Sequence, residues 1–319
     1  MVVTDPGVLA RPQRTGTVAL VVNPAKVRDV GALVATLTRR CGESGLPAPV
    51  VLPTSIADPG QGQARQALRD GAGLVLAAGG DGTVRAVAET LAGTGVALGI
   101  LPGGTGNLLA RNLGLPLAYP EAIDTALNGT DRELDVGRLD DGTPFLIMAG
   151  AGWDAAMLRE TPELLKTRIG WPAYAIGGLR SARGSLVEAE LRLDDRPPVR
   201  LRARAILVGN VGRLQGGLDL MPGAEPDDGM LDVMVIEPRR PAQWLALGAQ
   251  VLAGTALAEH RRRTFRARRV AISLDRPQPR EVDGDLIAPA RGLVATLDPR
   301  ALLVRVARRR PATHSRSCR

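Results

Sequence analysis

Short uncharged apolar runs alternate with segments of helical periodicity through the first part of the chain. An apolar run without charges is typical of a strand that is buried on both faces of a sheet. Strands are predicted at residues 17–22, 49–53, 74–78 and 96–101. Helices are predicted at about 29–41, 63–70, 84–91, 108–113 and 118–128. Strands that alternate with helices indicate a doubly wound α/β fold, with a parallel sheet covered on both faces.

The pattern changes near residue 133, after which most segments have the composition of strands. Strands are predicted at 133–139, 145–148, 188–193, 199–208, 231–236, 268–274, 280–282 and 293–297, and helical regions at about 152–179 and 241–255. An α/β half followed by a strand-rich half indicates two domains. We expect an α/β domain at 17–132 that 298–308 completes, a β-rich domain at 133–297, and flexible tails at 1–16 and 309–319.

Two glycine-rich loops follow the third and fourth predicted strands, and each leads into a helix. The first is Gly79-Gly-Asp-Gly-Thr83 and the second is Pro102-Gly-Gly-Thr-Gly-Asn107. Glycines let backbone N–H groups approach an anion, and a helix N-terminus adds its dipole, so each loop suits a phosphate group. The carboxyl ends of neighbouring parallel strands can bring both loops together. Thr105 and Asn107 would then offer a hydroxyl and an amide to phosphate oxygens.

Asp81 is unexpected inside a phosphate-binding loop, because a carboxylate repels a bare phosphate. We therefore expect either a magnesium ion between the two or a role for Asp81 in proton transfer. The alternative is that Asp81 caps the N-terminus of the following helix. Asn23 and Lys26 follow the first strand and are further candidates for nucleotide contact, although an ordinary turn explains them equally well.

The amino-acid composition limits the classes of protein to which the chain can belong. The chain has 319 residues with 45% hydrophobic content, enough for two domains, and lacks an apolar run long enough to span a membrane. The N-terminal segment lacks the apolar core of a signal peptide. Its two cysteines, Cys41 and Cys318, give neither a disulfide framework nor a metal-ligand spacing. We therefore expect a cytoplasmic protein.

The net charge is +8 and comes almost entirely from arginine. Arginines cluster at 260–269 and in the C-terminal tail at 305–319. Such clusters suit nucleic acid or an anionic membrane surface. Aromatic residues make up only 2% of the chain, so platforms for stacking bases are scarce and the membrane is favoured. We expect peripheral contact with the inner membrane face and no nucleic acid; a solvated strand edge with a disordered tail is the alternative.

Taken in order, the motifs of the chain resemble the diacylglycerol kinase catalytic family, the bacterial soluble lipid kinases related to sphingosine and ceramide kinases. The markers are Asn23-Pro24, the two glycine loops, Asp135-Val-Gly137, Gly209-Asn210, Met221-Pro-Gly-Ala-Glu-Pro-Asp-Asp-Gly229 and Val282-Asp-Gly-Asp285. The resemblance implies that 17–132 is a nucleotide-binding domain like those of NAD kinases and phosphofructokinases. It implies that 133–297 is a β-sandwich-like lipid-substrate domain, with ATP in the cleft between the two.

The resemblance also implies site residues. Those matching the family's nucleotide contacts are Asn23, Pro24, Ala25, Lys26, Val27, Thr54, Gly79, Gly80, Asp81, Gly82, Thr83, Val84, Arg85 and Thr105, and Gly104 and Asn107 complete the candidate set. A structural Mg²⁺ is implied at the carbonyls of Glu225 and Met230 and the carboxylate of Asp228. Oxygen ligands around a glycine turn suit that ion, although a solvated acidic turn explains the same residues.

The late Asp-Gly-Asp motif matches the position of the family's proton acceptor. We expect Asp285 to accept the proton with support from Asp283, while Asp81 organises the magnesium ion through water. Two departures are visible: Leu108 stands where many members have aspartate, and Asp285 replaces a glutamate that is one methylene longer.

The expected function is an ATP-dependent lipid kinase that phosphorylates a diacylglycerol-like or sphingoid hydroxyl. One alternative is a kinase of a soluble acceptor such as NAD or a sugar phosphate. Another is a non-catalytic regulator that binds nucleotide or lipid, which the two departures favour. The sequence leaves the particular lipid and the oligomeric state open, a homodimer included.

Overall fold

The computed structural model describes residues 16–152, 186–214, 219–237 and 262–308. Its first part alternates strands and helices as the apolar pattern predicts. These elements are β1 (Val18–Val22), α1 (Val30–Glu43), β2 (Val50–Pro53), α2 (Gln61–Arg69), β3 (Leu74–Gly79), α3 (Asp81–Leu91), β4 (Ala97–Pro102), α4 (Leu108–Asn112) and α5 (Tyr119–Asn128). The strands pair in parallel in the order β2, β1, β3, β4. All residues of β1, β3 and β4 are buried, as expected for strands covered on both faces.

The second part consists of strands among the described residues. They are β5 (Thr130–Leu139), β6 (Pro144–Phe145), β7 (Met148–Ala151), β8 (Val187–Leu193), β9 (Val199–Ala203), β10 (Ala205–Gly209), β11 (Leu231–Ile236), β12 (Arg262–Ala267), β13 (Arg269–Val282) and β14 (Asp285–Val306). Their pairings are antiparallel, and the strand order runs β12, β11, β10, β7, β13, β14. β8 pairs with β13 and β9, and β5 pairs with β14 and β6.

The long strand β14 connects the two parts. Its first residues pair with β13, and its later residues pair with β5. Near its end it also lies parallel to β4, with Val304 opposite Leu98. The last segment of the described chain therefore extends the parallel sheet of the first part, the position that the sequence assigned to residues 298–308.

The described residues form three buried apolar clusters that hold this architecture together. One lies between the parallel sheet and helices α1 and α5, and includes Leu20, Leu37 and Ile123. A second fills the interior of the strand-rich part. The third covers the opposite face of the parallel sheet and continues from Val84 and Val87 on α3 to Leu146, Met148 and Leu207 of the second part. This shared core fixes α3 against the strand-rich part.

The structure differs from the sequence predictions mainly in the second part. Residues 268–274 and 280–282 belong to one strand, β13, which passes Pro277 and Pro279 with shifts of register. The predicted strand 199–208 is divided into β9 and β10, and β12 lies within the arginine cluster, where no strand was predicted. The helical regions predicted at 152–179 and 241–255 lie largely outside the described residues, as do tail residues 1–15 and 309–319. None of the described helices is long and apolar enough to cross a membrane.

Candidate active site

The polar residues that follow the parallel strands meet at one edge of the sheet. The backbone N–H of Asn23 donates to the carbonyl of Ala78 at 2.8 Å, and that of Thr54 donates to the carbonyl of Val22 at 2.8 Å. The N–H of Gly103 donates to the carbonyl of Gly79, also at 2.8 Å. The parallel ladder thus continues by one bond beyond each strand. It brings the turn after β1, the residue after β2 and both glycine loops side by side, and the sequence predicted this meeting for the two loops.

The two glycine loops pack backbone against backbone. A Cβ on Gly104 would lie 2.6 Å from the Cα of Gly80, closer than Cβ atoms approach other atoms. Asn107 braces the second loop, since its Oδ1 accepts the N–H of Gly104 at 2.9 Å and its Nδ2 donates to the carbonyl of Gly104 at 2.7 Å. Asn107 itself has a left-handed backbone (φ 48°) at the N-cap of α4. Its side-chain amide therefore shapes the loop directly, a role that the sequence did not reveal.

Asp81 joins the two loops. It is the first residue of α3, whose N-cap is Gly80, so the predicted alternative of an N-cap role on α3 is wrong. Its Oδ1 instead accepts the N–H of Leu108, at the start of α4, at 2.6 Å. Burial raises the pKa of the Asp81 carboxyl, while backbone N–H groups of α4 lower it. A half-buried carboxylate that accepts N–H groups at a helix N-terminus has a structural explanation besides the predicted metal or proton chemistry.

Asn23 braces the first loop from the neighbouring strand. Its Nδ2 donates to Thr83 Oγ1 at 3.2 Å, and its Oδ1 accepts the N–H of Ala25 at 3.0 Å. The remaining nucleotide candidates differ in exposure. Pro24, Ala25 and Lys26 are exposed, whereas Val27, Thr54, Thr83 and Val84 are buried. Val84 belongs to the shared core, so only its backbone is open to a nucleotide.

The Asp-Gly-Asp motif forms the tip of a β-hairpin between β13 and β14. Val282 pairs with Asp285, and the two residues between them, Asp283 (φ 48°) and Gly284 (φ 88°), have left-handed backbones, as a two-residue type I′ turn requires. The carboxylate of Asp283 accepts the N–H groups of Leu146, Ile147 and Met148 at 2.9–3.0 Å. Burial raises the pKa of Asp283 to about 6, against the opposing effect of these N–H groups. Asp283 therefore anchors the hairpin to the start of β7.

Arg85 connects this hairpin to the sheet edge that carries the two glycine loops, the expected nucleotide edge. Arg85 lies on α3, and its Nη1 donates to the carbonyl of Val282 at 2.7 Å. Nη2 donates to Oδ2 of Asp285 at 2.5 Å. The sequence assigned Arg85 to the nucleotide and Asp285 to proton transfer, and the structure brings the two side chains together. Asp285 is therefore tied to α3, the helix that follows the first glycine loop.

Hydrogen bonds hold the acidic loop at 221–230 against the second part. They are made by Asp135 and Asn210, two residues of the family motifs to which the sequence gave no role. The buried carboxylate of Asp135 accepts the N–H groups of Gly229 and Arg300, both at 2.7 Å. Asn210 Nδ2 donates to the carbonyl of Asp135 at 2.9 Å. These bonds fix the loop on β5 and β14.

The charges of the acidic loop face arginines. Arg132 pairs with Asp227 at 2.7 Å and lies 3.6 Å from Glu225. The carboxylate of Asp228 accepts the N–H of Met230 at 3.0 Å and pairs with Arg266. Within the described residues no cluster of three or more acidic, histidine or cysteine side chains has the arrangement of a metal site. The expected set of Glu225, Asp228 and Met230 relies on two carbonyls and stays a prediction.

Part of the arginine-rich surface is already neutralised. Arg305, which the sequence placed in the basic tail, is 5% exposed and pairs with Asp131 at 2.6 Å. It is a core residue of β14, so its inclusion in a membrane-docking tail was wrong. In the other cluster, Arg266 pairs with Asp228 and lies 3.5 Å from Asp232, while Arg268 and Arg269 are exposed.

A methyl group at Gly104 should separate the two loops. The backbone of Gly80 stands where the new Cβ would lie, and backbone cannot turn aside as a side chain can. We expect Gly104→Ala to raise the KM for ATP about tenfold or more and to lower stability by about 1–3 kcal/mol. Gly42→Ala on α1, where a Cβ meets nothing within 4 Å, is the matched control. Steady-state kinetics and thermal unfolding of both variants check this prediction. If the two variants have the same KM and the same stability, the loops can move apart to accommodate the methyl group.

Comparison with known proteins identifies the same two parts. Residues 17–139 match the family model of the diacylglycerol kinase catalytic domain. Residues 147–306 match that of the YegS C-terminal NAD kinase beta sandwich-like domain. The protein named probable lipid kinase YegS-like of Klebsiella pneumoniae (strain 342) is 35% identical over 183 residues, which are 53% of this chain and 58% of that protein. A relative from Salmonella paratyphi A, named probable lipid kinase YegS, is 35% identical with the same coverage. The matches thus span little more than half the length of these relatives.

Solved structures share the fold across both parts. A diacylglycerol kinase from Bacillus anthracis str. Sterne has a TM-score of 0.69 at 21% identity, covering 91% of this chain and 97% of that one. An NAD kinase from Archaeoglobus fulgidus in complex with ATP has a TM-score of 0.52 at 10% identity, covering 91% and 93%. These likenesses confirm the predicted fold class. With both family models matched in order, the chain belongs to the diacylglycerol kinase family of the YegS type.

Proposed function

We propose that the protein is an ATP-dependent lipid kinase that transfers the γ-phosphoryl group of ATP to a hydroxyl of a diacylglycerol-like or sphingoid lipid. The observation that carries this proposal is the meeting of two glycine loops with a carboxylate-bearing hairpin, joined through Arg85. The names of the relatives from Klebsiella and Salmonella support a lipid acceptor.

The glycine loops are suited to the phosphates. Backbone packs against backbone where Gly80 and Gly104 meet, and the first turn of α3 adds N–H groups and the positive end of its dipole. Asn23, Thr83 and Asn107 hold these loops in shape. In this role the loops orient the γ-phosphoryl group and stabilise the charge that spreads over its oxygens in the transition state.

Mg²⁺ accompanies ATP in this proposal and would neutralise phosphate charge. The donor set fits a hard cation, since Asp81 places a carboxylate in the first glycine loop and its Oδ2 lies 2.7 Å from where a Cβ on Gly106 would stand. Only glycine leaves that side of the carboxylate open. The residues that would hold the ion are thus Asp81 and the ATP phosphates, with water completing the shell.

Proton transfer is assigned to the hairpin between β13 and β14. The acceptor hydroxyl must lose its proton as its oxygen attacks phosphorus, and a positioned carboxylate contributes about 10²–10⁴-fold to such a step. The family resemblance gives this role to Asp285, with Asp283 as the anchor of the turn. Arg85 holds the Asp285 carboxylate next to the nucleotide edge.

A kinase of a soluble acceptor is the second candidate, because the fold is shared with an NAD kinase that binds ATP. A panel of acceptors with γ-labelled ATP separates the candidates: short-chain diacylglycerol and sphingosine in mixed micelles, NAD, and a sugar phosphate. We expect label on a lipid and none on the soluble acceptors. Label on NAD alone would replace the lipid proposal, and no turnover with any acceptor would favour the non-catalytic regulator.

Reaching a lipid headgroup requires contact with the bilayer surface, and we propose that arginines of the C-terminal tail supply it. Arg308 is exposed, and the other tail arginines lie outside the described residues. Each basic residue near an anionic leaflet is worth about 1 kcal/mol, and the attraction decays within a Debye length. Removal of residues 311–319 with neutralisation of Arg308, Arg309 and Arg310 should therefore weaken binding to anionic vesicles.

Sedimentation with anionic and neutral vesicles at low and high salt tests this prediction. The intact protein should sediment with anionic vesicles at low salt, and the truncated protein should remain largely in the supernatant. Activity on a short-chain, water-soluble acceptor serves as the control and should be spared. Equal binding to both vesicle types would contradict an electrostatic contact. If the truncated protein binds anionic vesicles as well as the intact protein does, Arg268 and Arg269 become the next candidates for the membrane contact.

A further inference from the structure

The phenol group of Tyr119, a residue to which the sequence gave no role, lies beside the second glycine loop. Its Oη is 3.0 Å from where a Cβ on Gly103 would stand. The Cα of Gly79, where the first loop begins, is 3.3 Å from the same point. The hydroxyl therefore lies close to the place where both glycine loops leave the sheet.

The course of α5 explains this position. A Cβ on Gly99 of β4 would stand 2.8 Å from the Cβ of Ala126, near the end of α5, whereas Gly103 meets Tyr119, the first residue of the helix. The helix consequently runs antiparallel to β4 and begins at the carboxyl edge of the sheet. Side chains of a helix lean toward its N-terminus, so that of Tyr119 extends toward this edge.

The ring and the hydroxyl of Tyr119 have different surroundings. The partly buried ring packs against the apolar cluster that also contains Val27, the last residue of the candidate nucleotide turn after β1. The hydroxyl makes no hydrogen bond to the residues that the structure describes. Burial raises the pKa of this hydroxyl above its ordinary value, so it stays protonated and can donate at neutral pH.

Gly103 makes room for the hydroxyl. A methyl group on residue 103 would crowd the Tyr119 oxygen, and it would also approach the N of Gly79 to 3.4 Å. Glycine at this position therefore lets a side-chain donor lie directly against the loop backbone. Tyrosine suits such a place, because an apolar body can be packed while the polar tip stays available for a partner.

We propose that Tyr119 is a nucleotide-binding residue whose hydroxyl donates a hydrogen bond to a phosphate oxygen of ATP at the second glycine loop. This inference rests on the proposed kinase function. The backbone N–H groups of the loops contact the anion without adding charge, and the phenol supplies one more neutral donor beside them. A hydrogen bond from a hydroxyl to an anionic oxygen is about twice as strong as one between neutral groups.

A contact between the ring and the adenine base would place the aromatic face, rather than the hydroxyl, against the nucleotide. The ring is already packed against the cluster between the sheet and helices α1 and α5, whereas the hydroxyl is the part that reaches the loop. The two contacts predict different variants to be harmful, since phenylalanine removes only the hydroxyl and leucine removes the ring as well.

The test measures the Kd for ATP with Mg²⁺ by isothermal titration calorimetry, and the KM for ATP and kcat by steady-state turnover, for wild type, Tyr119→Phe and Tyr119→Leu. We expect Tyr119→Phe to raise Kd and KM about tenfold, the effect of losing one hydrogen bond to a charged group. The kcat of this variant should stay within about twofold, as expected when binding is lost equally from the ground state and the transition state. Thr36→Val is the matched control, because it removes a hydroxyl that bonds only within α1, and it should behave as wild type.

A second measurement leaves the side chain in place. The sequence contains two tyrosines, Tyr119 and Tyr174, so incorporation of 3-fluorotyrosine gives two fluorine signals, and Tyr174→Phe identifies that of Tyr119. The Tyr119 signal should shift during titration with ATP and saturate together with the calorimetric binding curve. A signal that stays unchanged at saturating ATP would overturn the inference even if Tyr119→Phe fails to fold.

A Tyr119→Phe variant with wild-type Kd and KM for ATP would also overturn it, and a loss confined to Tyr119→Leu would give the contact to the ring instead. Binding of ATP is measured without any acceptor, which separates this inference from the proposed function. Binding of ATP without phosphorylation of any acceptor would overturn the proposed function alone, whereas wild-type protein that binds no ATP would overturn both.

Discussion

Asp81→Asn should lower kcat by on the order of 10²–10³-fold and leave the unfolding temperature nearly unchanged. Asparagine keeps an oxygen that can accept the N–H of Leu108, so the bridge between the two glycine loops survives. The substitution removes only the negative charge. A hydrogen bond between the two loops does not need that charge, whereas binding of a magnesium ion with ATP does. Steady-state ATP turnover and thermal unfolding of the purified variant check both halves of the prediction.

The matched comparison is Asp81→Ala, which removes the bridge as well as the charge. It should lose activity to at least the same degree and also lose stability, by about 1–3 kcal/mol for the unpaired N–H groups at the start of α4. Near-wild-type turnover in Asp81→Asn would show that the carboxylate only holds the loops together, and the metal role assigned to it would then be abandoned.

Asp283→Ala should destabilise the protein by about 3 kcal/mol or more. The carboxylate accepts three N–H groups, those of Leu146, Ile147 and Met148, and all three residues are buried. A buried N–H group left without a partner costs about 1–3 kcal/mol, and alanine offers none of them an acceptor. Denaturant unfolding at neutral pH measures the loss, and activity should fall with it because the hairpin tip is no longer anchored.

Asp283→Asn provides the control, because Oδ1 alone accepts two of the three N–H groups and asparagine retains that oxygen. Its loss of stability should be smaller. The pH dependence adds a check: the folded-state pKa of about 6 lies above the ordinary value of 3.8, so the native state binds this proton more tightly than the unfolded chain. The stability of the wild type relative to Asp283→Asn should therefore fall as the pH rises from about 4 through about 6. An alanine variant as stable as wild type would contradict the anchoring role.

The nucleotide edge was largely predictable from the sequence because its signals are local. An uncharged apolar run followed at once by glycines fixes both the strand and the position of the loop, and parallel pairing then brings the carboxyl ends of β1, β3 and β4 together. The purpose of Asp81 and Asn107 was not predictable. Their partners, Leu108 and Gly104, follow only from how closely the two loop backbones approach.

The second part was less predictable because its contacts are remote in sequence. Arg85 meets Asp285 across 200 positions, and Asp283 meets Leu146 across 137. Contacts between residues so far apart leave no periodic pattern in the sequence. β12 was missed because its arginines were interpreted as a charge cluster, although Phe265 and Ala267 alternate with the exposed Thr264 and Arg266 along the strand.

Transfer of label from γ-labelled ATP to a lipid hydroxyl tests the central claim most directly. Wild-type protein, Mg²⁺ and mixed micelles of dioctanoylglycerol or sphingosine should give a phosphorylated lipid whose amount equals the ADP formed, and Asp81→Asn should give almost none. Formation of ADP without label in any lipid, or with label on NAD instead, would contradict the assignment of this family member as a lipid kinase.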